Sequence, residues 1–164
     1  MMNDNVIDKT IPALRALIEI YQDAQTRGRK DLAAWADYSL NWACRRLEVF
    51  SPAAHVSKAA AAEAVKLKIG DISRYAWHEQ KSKMCDHKRK IFHYEHVYPV
   101  SQLRRDLKTL SPVTDEDISR LIRRMEVAWI LKDECKLLDK AKYRSKRPED
   151  LWQAFREVGI EMVS

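Results

Sequence analysis

The chain has little of what an all-β, a disulfide-bonded or a membrane-spanning protein requires. Its 164 residues include three glycines and five prolines, too few for a turn-rich all-β fold. No run of about 18 apolar residues occurs, so we expect no transmembrane helix and no membrane partner. The three cysteines form no Cys-x-x-Cys pair, which argues against a zinc knuckle and a disulfide framework. Because the first residues are polar rather than typical of a secretory signal, a cytoplasmic protein with reduced thiols is expected.

Positive charge is concentrated in one part of the sequence. The formal net charge is +6, and residues 81–147 hold 18 Lys and Arg against 10 Asp and Glu. Residues 1–80 are nearly balanced, and residues 148–164 are acidic. A basic field suits a polyanion, so nucleic acid is the expected partner, with an ordinary solvated basic surface as the alternative.

Helical periodicity dominates the first half of the chain. Pro12 indicates the first turn of an N-terminal helix. Ser51 and Pro52 indicate the cap and first turn of a third helix over 52–69, and a fourth helix is predicted over 72–84. The second helix is predicted from an apolar stripe of Leu32, Trp35, Ala36, Leu40, Ala43, Leu47 and Phe50. Tryptophans in such a scaffold are expected in the core or in groove walls.

Shorter elements are predicted in the second half. Period-two alternation and apolar runs indicate strands, and capping residues followed by helical spacing indicate helices. The predicted elements are a strand over 90–96, helices over 101–110 and from Thr114, a strand over 127–131, a helix from Asp133 and a last helix from residue 148.

These patterns together predict a mainly α (α+β) fold, in which a helical scaffold carries a small two-stranded ββα element in the C-terminal half. We expect one compact domain with three parts. Residues 1–86 form the helical scaffold, and residues 87–145 form the ββα element with a helical insertion. Residues 146–164 form a C-terminal helix that packs back on the core.

Two histidines and a carboxylate lie within four residues of the predicted first strand, in the segment His93-Tyr94-Glu95-His96. A carboxylate can hold a divalent metal ion, and a nearby imidazole can take a proton from water near neutral pH. The metal would stabilise charge on a phosphate oxygen while the histidine activates water. Adjacent strand residues point to opposite faces, so Glu95 and His96 can share a site only where the strand bends, and Pro99 indicates its end.

The segment Glu95-His96-Val97-Tyr98-Pro99-Val100 resembles the Asp-His-hydrophobic-x-Pro signature of the HNH nucleases, also called ββα-metal or His-Me finger enzymes. The resemblance implies that His96 is the general base, that Glu95 is a metal ligand, and that Mg²⁺ or Mn²⁺ is the cofactor. It also implies a second strand over 128–132, followed by a helix over 133–142 that supplies another ligand, with Asp133, Glu134 and Asp139 as the candidates. His93 and Tyr94 would support the site without binding the metal.

A metal-dependent nuclease is therefore the leading expectation, with DNA placed ahead of RNA as its substrate. Six basic residues are expected to hold phosphates without reading sequence: Lys88, Arg89, Lys90, Arg144, Lys146 and Arg147. The alternative is a non-enzymatic basic helical module that binds nucleic acid, or a small adaptor or inhibitor. A protein partner or a homodimer stays open. Glu134-Cys135-Lys136 also has the Glu-x-Lys form of another restriction-type nuclease class, which needs an acidic residue on a preceding strand.

Overall fold

The fold is mainly α with a small mixed sheet, as the sequence predicts. The computed structural model describes residues 4–47 and 55–163, with the side chains of residues 4–6 left aside. None of the helices within these residues is long and apolar enough to cross a membrane. The elements are helices α1 Asp4–Thr26, α2 Lys30–Leu47, α3 Lys58–Lys66, α4 Val100–Lys108, α5 Asp115–Arg123, α6 Lys132–Lys140 and α7 Gln153–Glu157, and strands β1 His55–Val56, β2 Phe92–His96 and β3 Val127–Leu131.

The described residues divide into two units that interleave along the sequence. The helical unit comprises residues 4–47 and 100–125, which hold α1, α2, α4 and α5. The mixed unit comprises residues 55–99 and 126–163, which hold the sheet, α3, α6 and α7. These divisions differ from the boundaries expected at residues 86 and 145. The segment expected to be an insertion within the ββα element belongs instead with the N-terminal helices.

In the helical unit, α1 and α2 pack along each other. The α1 helix buries Ile11, Leu14 and Ile18 at helical spacing. It begins at Asp4, so Pro12 lies inside the helix on an exposed position rather than at its start. Thr114 caps α5 as its sequence predicts, because its side chain accepts a hydrogen bond from the backbone N–H of Asp117.

The apolar stripe predicted for α2 is partly wrong. The buried residues are Ala33, Ala36, Leu40, Cys44 and Leu47, whereas Trp35 is 53% exposed. Both sets repeat with helical period, but the small alanines and cysteine allow close approach to α1 and the bulky indole does not. Phe50, Ser51 and Pro52, to which the sequence analysis also assigned roles, lie outside the described residues.

The sheet of the mixed unit has three strands in the order β1-β3-β2 rather than two. β2 pairs antiparallel with β3, from Phe92 opposite Leu131 to His96 opposite Val127. β1 pairs parallel with β3 and was not predicted, because a strand of two residues has no readable period. Trp129 on the central strand is fully buried, and its indole N–H donates to the Tyr75 carbonyl at 2.9 Å.

The two helices predicted over residues 52–84 differ from the structure. The helix expected over 52–69 begins only at Lys58, where the Ser57 hydroxyl accepts from the backbone N–H of Ala60 at 3.0 Å. The helix expected over 72–84 is replaced by two short 3-10 turns, Ile72–Arg74 and Trp77–Glu79. Asp71 explains the first turn, since its carboxylate accepts from the backbone N–H of Ser73 and so favours a turn over a continuous helix.

Asp86 organises the loop that leads into β2. Its side chain is buried and accepts hydrogen bonds from the backbone N–H groups of Lys90, Ile91 and Phe92 at 2.8, 3.1 and 3.0 Å. The Gln80 amide donates to the same carboxylate at 2.9 Å and to the Phe92 carbonyl at 2.8 Å. Burial alone would raise the pKa of Asp86, but these hydrogen bonds hold it below its usual value.

We predict that Asp86→Ala lowers the free energy of unfolding by about 3 kcal/mol, because it leaves buried backbone donors without an acceptor. Since the folded-state pKa of Asp86 is lowered, its contribution is complete above the unfolded pKa near 3.9 and is lost as the pH falls through the folded value. Chemical denaturation at pH 7 and at about pH 3 measures both effects. The exposed Asp139→Ala is the matched control, and equal stability of the two variants at pH 7 would contradict the assignment.

Candidate functional site

The candidate site lies where β2 meets the helix that follows β3. β3 runs directly into α6, so strand, strand and helix are combined as the ββα resemblance implies. The Glu134 carboxylate helps to fix this junction, since it accepts from the backbone N–H of Leu131 at 2.7 Å. The observed bounds agree with the predicted second strand and helix to within two residues.

The two faces of β2 have different surroundings. Phe92 and Tyr94 face the core, and the Tyr94 ring lies 4.7 Å from the Trp129 ring, centroid to centroid. His93 and Glu95 lie on the other face, against residues of α6. Tyr94, which was expected to support a metal site, is thus a core residue.

Glu95 is the centre of a half-buried charge network. Its Oε2 accepts a hydrogen bond from His93 Nε2 at 2.9 Å, and its Oε1 accepts from the Arg147 guanidinium. Burial would raise the pKa of Glu95, but the His93 hydrogen bond and the Arg147 charge lower it, so the carboxyl is ionised.

Arg147 lies inside the mixed unit rather than on a phosphate-binding surface. Its side chain has no exposed area, and its Nη1 donates to the carbonyls of His96 at 2.7 Å and Val97 at 2.6 Å. The guanidinium carbon also lies 4.7 Å from the Phe155 ring centroid. The expectation that Arg147 contacts nucleic acid is therefore corrected: it neutralises Glu95 and fixes the end of β2.

Cys135 on α6 completes a group of metal-ligand atoms. Its Sγ lies 4.0 Å from Glu95 Oε2, and the ligand atoms of His93, Glu95 and Cys135 all lie within 4.8 Å of one another. We call these three residues the β2–α6 cluster. Glu95 is the one predicted ligand that it contains.

The protonation of His93 depends on opposing contacts, with Cys135 and Glu95 on one side and Lys132 on the other. Burial lowers the pKa of His93, but interactions with Cys135 and Glu95 raise it to about 9. Lys132 Nζ lies 3.0 Å from His93 Nδ1, a contact in which the ammonium can donate only while Nδ1 carries no proton. When His93 is doubly protonated, Lys132 must therefore turn away from the ring.

The three carboxylates expected on α6 do not join the β2–α6 cluster. Asp133 is exposed and pairs with Lys136 at 2.7 Å. Glu134 accepts from the Ser57 hydroxyl at 2.6 Å in addition to capping its own helix, and Asp139 is exposed near the helix end. The helix thus presents Cys135 to β2, a residue that a search restricted to carboxylates overlooks.

His96 ends β2 and is not part of the β2–α6 cluster. Its pairing with Val127 continues the strand up to this residue, so alternation places His96 and Glu95 on opposite faces. The bend that would bring their side chains together does not occur before His96.

The other predicted phosphate contacts lie on the surface. Lys88, Lys90, Arg144 and Lys146 are exposed. The Arg89 guanidinium instead stacks on the Trp77 ring, with its central carbon 3.5 Å from the ring centroid. The basic loop and the connector after α6 therefore keep most of their expected positive surface.

The donor atoms of the β2–α6 cluster fit a divalent transition metal. Imidazole nitrogen, thiolate sulfur and carboxylate oxygen are typical zinc ligands, whereas Mg²⁺ prefers oxygen alone. His93 Nε2 carries the proton that it donates to Glu95, and this proton would have to leave before the nitrogen could bind a metal. The ligand chemistry thus favours a zinc-like ion over the Mg²⁺ expected from the sequence.

Comparison with protein-family models, with curated proteins and with solved structures found no match to this chain. The HNH resemblance consequently rests on residues 95–100 and on the order of strand, strand and helix. The chemistry of the chain has to be inferred from its own side chains.

We predict that Arg147→Ala lowers the free energy of unfolding by about 3–5 kcal/mol, because it removes one of the two partners of Glu95 and the donor to the carbonyls of His96 and Val97. The matched control is Arg144→Ala, an exposed arginine of the same segment, which should change stability little. The double variant Glu95→Leu with Arg147→Met should lose less stability than the sum of the single variants Glu95→Leu and Arg147→Met. Denaturant unfolding measures these effects, and additive losses would contradict the ion pair.

We also predict that Glu95→Gln lowers the pKa of His93 from about 9, since it removes the charge that favours the imidazolium. Because the folded pKa exceeds the unfolded value near 6.5, His93 contributes stability fully below pH 6.5 and loses it as the pH rises to about 9. NMR titration of the histidine rings measures the pKa, with His87→Gln identifying the signal of an exposed histidine. An unchanged His93 pKa in Glu95→Gln would refute the contact.

Proposed function

We propose that the chain is a metal-dependent hydrolase of phosphodiester bonds in nucleic acid, and that the β2–α6 cluster holds its divalent ion. The observation that supports this most directly is the approach of His93, Glu95 and Cys135, whose ligand atoms lie within 4.8 Å on a ββα element. Three protein ligands leave a coordination position for water or a phosphate oxygen, as in catalytic zinc sites.

Each residue of the site has a part in this proposal. His93 and Cys135 bind through nitrogen and sulfur, and Arg147 keeps the Glu95 carboxylate ionised and oriented toward them. Lys132, beside His93, is placed to neutralise a phosphate that approaches the cluster. A bound divalent ion would polarise a phosphate oxygen and lower the pKa of water.

His96 is the expected general base, but regular pairing up to Val127 places its side chain on the opposite face of β2 from Glu95. A general base must lie within hydrogen-bond reach of the water that it deprotonates, so His96 has no part in the hydrolysis that we propose at the β2–α6 cluster. We expect His96→Ala to keep its bound metal and its metal-dependent cleavage.

The substrate class follows from charge. Lys88, Lys90, Arg144 and Lys146 provide exposed positive charge in the mixed unit, suited to phosphates without base readout. We propose DNA ahead of RNA. Unbonded cysteines also lead us to propose a cytoplasmic location.

A second function is favoured by the state of Glu95. Both of its oxygens already have partners, His93 and Arg147, so the network is electrostatically complete without a metal. In a basic module that binds nucleic acid, or in an adaptor or inhibitor, Glu95, His93 and Arg147 would only stabilise the fold.

Metal binding and cleavage are best tested on the same set of variants. The purified protein is loaded with Zn²⁺, Mn²⁺ or Mg²⁺, the bound metal is counted by mass spectrometry, and plasmid DNA and a structured RNA are then added. We expect about one bound Zn²⁺ per chain and metal-dependent nicking, both abolished by Cys135→Ser and His93→Ala. Cys85→Ser and His87→Ala are the matched controls, because both residues are exposed and lie outside the cluster.

The outcomes separate the two functions. Bound metal and cleavage that fail together in the cluster variants would support the hydrolase. Salt-sensitive nucleic-acid binding without metal or cleavage would instead support the binding module. Cleavage that survives Cys135→Ser would place the active site elsewhere.

A further inference from the structure

The α2 helix has two opposite faces of different chemistry. One face is buried against the helical unit and is formed by Ala33, Ala36, Leu40, Cys44 and Leu47. The other carries Trp35, Tyr38 and Trp42 at positions i, i+3 and i+7, which a helix aligns on one side. These three side chains are 53%, 64% and 45% exposed. We call this second side the α2 aromatic face.

Such a face is unusual on a protein surface. Single exposed apolar residues are common, but several large ones grouped together indicate an interaction site. The Tyr38 and Trp42 rings are 6.2 Å apart at an interplanar angle of 69°, so they form a continuous aromatic surface rather than isolated side chains. Both rings are exposed within the helical unit.

Positive charge continues the aromatic line. Arg46 follows Trp42 by one turn, and its guanidinium carbon lies 5.9 Å from the Trp42 ring centroid. Arg45 beside it is also exposed. Of the two acidic residues in α2, Asp37 is bound to Lys108 at 2.6 Å, while Asp31 is exposed at the opposite end of the helix from the arginines.

The composition of the face distinguishes among ligands. All three exposed apolar side chains are Trp or Tyr, and α2 exposes no large aliphatic residue. Protein-docking helices place aliphatic anchors such as leucine in a groove, whereas binding of unpaired bases needs flat rings next to cations. A row of exposed rings that ends at two arginines therefore matches single-stranded nucleic acid better than a protein groove or a second copy.

We propose that the α2 aromatic face binds single-stranded nucleic acid without sequence preference. Unpaired bases stack on Trp35, Tyr38 and Trp42, and the backbone phosphates lie near Arg45 and Arg46. The face shares no residue with the β2–α6 cluster, so this binding stands whether or not the chain hydrolyses phosphodiesters.

The test uses the full chain and a fluorescently labelled oligothymidine in EDTA, which prevents cleavage. We expect fluorescence anisotropy to show binding that weakens with salt, and a duplex of equal length to bind at least fivefold more weakly. Trp42→Leu should weaken oligothymidine binding about tenfold, whereas Trp42→Phe should retain it within about threefold, because an aromatic ring and not apolarity is needed. Val65→Ala, an exposed apolar residue of the mixed unit, is the control.

Circular dichroism melting establishes that each variant is folded, and the exposure of Trp42 makes loss of fold unexpected. Equal binding by Trp42→Leu and wild type would overturn the proposal, as would equal affinity for single strand and duplex. Concentration-dependent dimerisation that Trp42→Leu abolishes, without any oligothymidine binding, would overturn it and assign the face to a second copy. Cys135→Ser should bind oligothymidine as wild type does, which separates this outcome from that of the hydrolase proposal.

Discussion

The ion pair between Glu95 and Arg147 is the interaction on which the mixed unit depends. A carboxylate that is largely withdrawn from water needs a counter-charge and hydrogen bonds in its place, and Arg147 and His93 supply them to Glu95. The same guanidinium binds two backbone carbonyls at the end of β2. One side chain therefore ties the segment after α6 to the strand that carries the candidate ligands, and it holds the carboxylate whose other oxygen accepts from His93.

The parts of this arrangement that sequence reasoning can predict are those with a local signal. Thr114 indicates the start of its helix because a capping side chain binds backbone only three residues away. The alternation of residues 92–95 separates the core face of β2 from the face that carries the β2–α6 cluster. Those two patterns are confirmed. The apolar run over 127–131 and the acidic residues after it correctly indicate the second strand and its helix, whereas the HNH resemblance and the nuclease activity stay proposals.

The rest depends on contacts between residues distant in sequence. Within a basic run the sequence does not distinguish a buried arginine from a surface arginine, so it predicts Arg147 as a phosphate contact like its neighbours. Cys135 becomes a candidate ligand only through its contact with Glu95, and a contact between residues 40 positions apart leaves no local sequence pattern. In α2, the small apolar residues and the aromatic residues both repeat with helical period. Packing against other helices, α1 among them, decides which of the two sets is buried. The two-residue strand β1 is too short to have any pattern.

The interleaving of the two units has a consequence for how the sheet can form. β2 and β3 pair like the arms of a hairpin, yet residues 97–126, 30 in number, lie between His96 and its partner Val127. Closing such a loop instead of a two-residue turn costs roughly 2 kcal/mol in chain entropy. Helices α4 and α5 occupy most of that loop and contact α1, so ordering of the helical unit shortens the disordered connection between the strands. The two strands that carry the candidate site are thus connected by a segment that belongs to the helical unit.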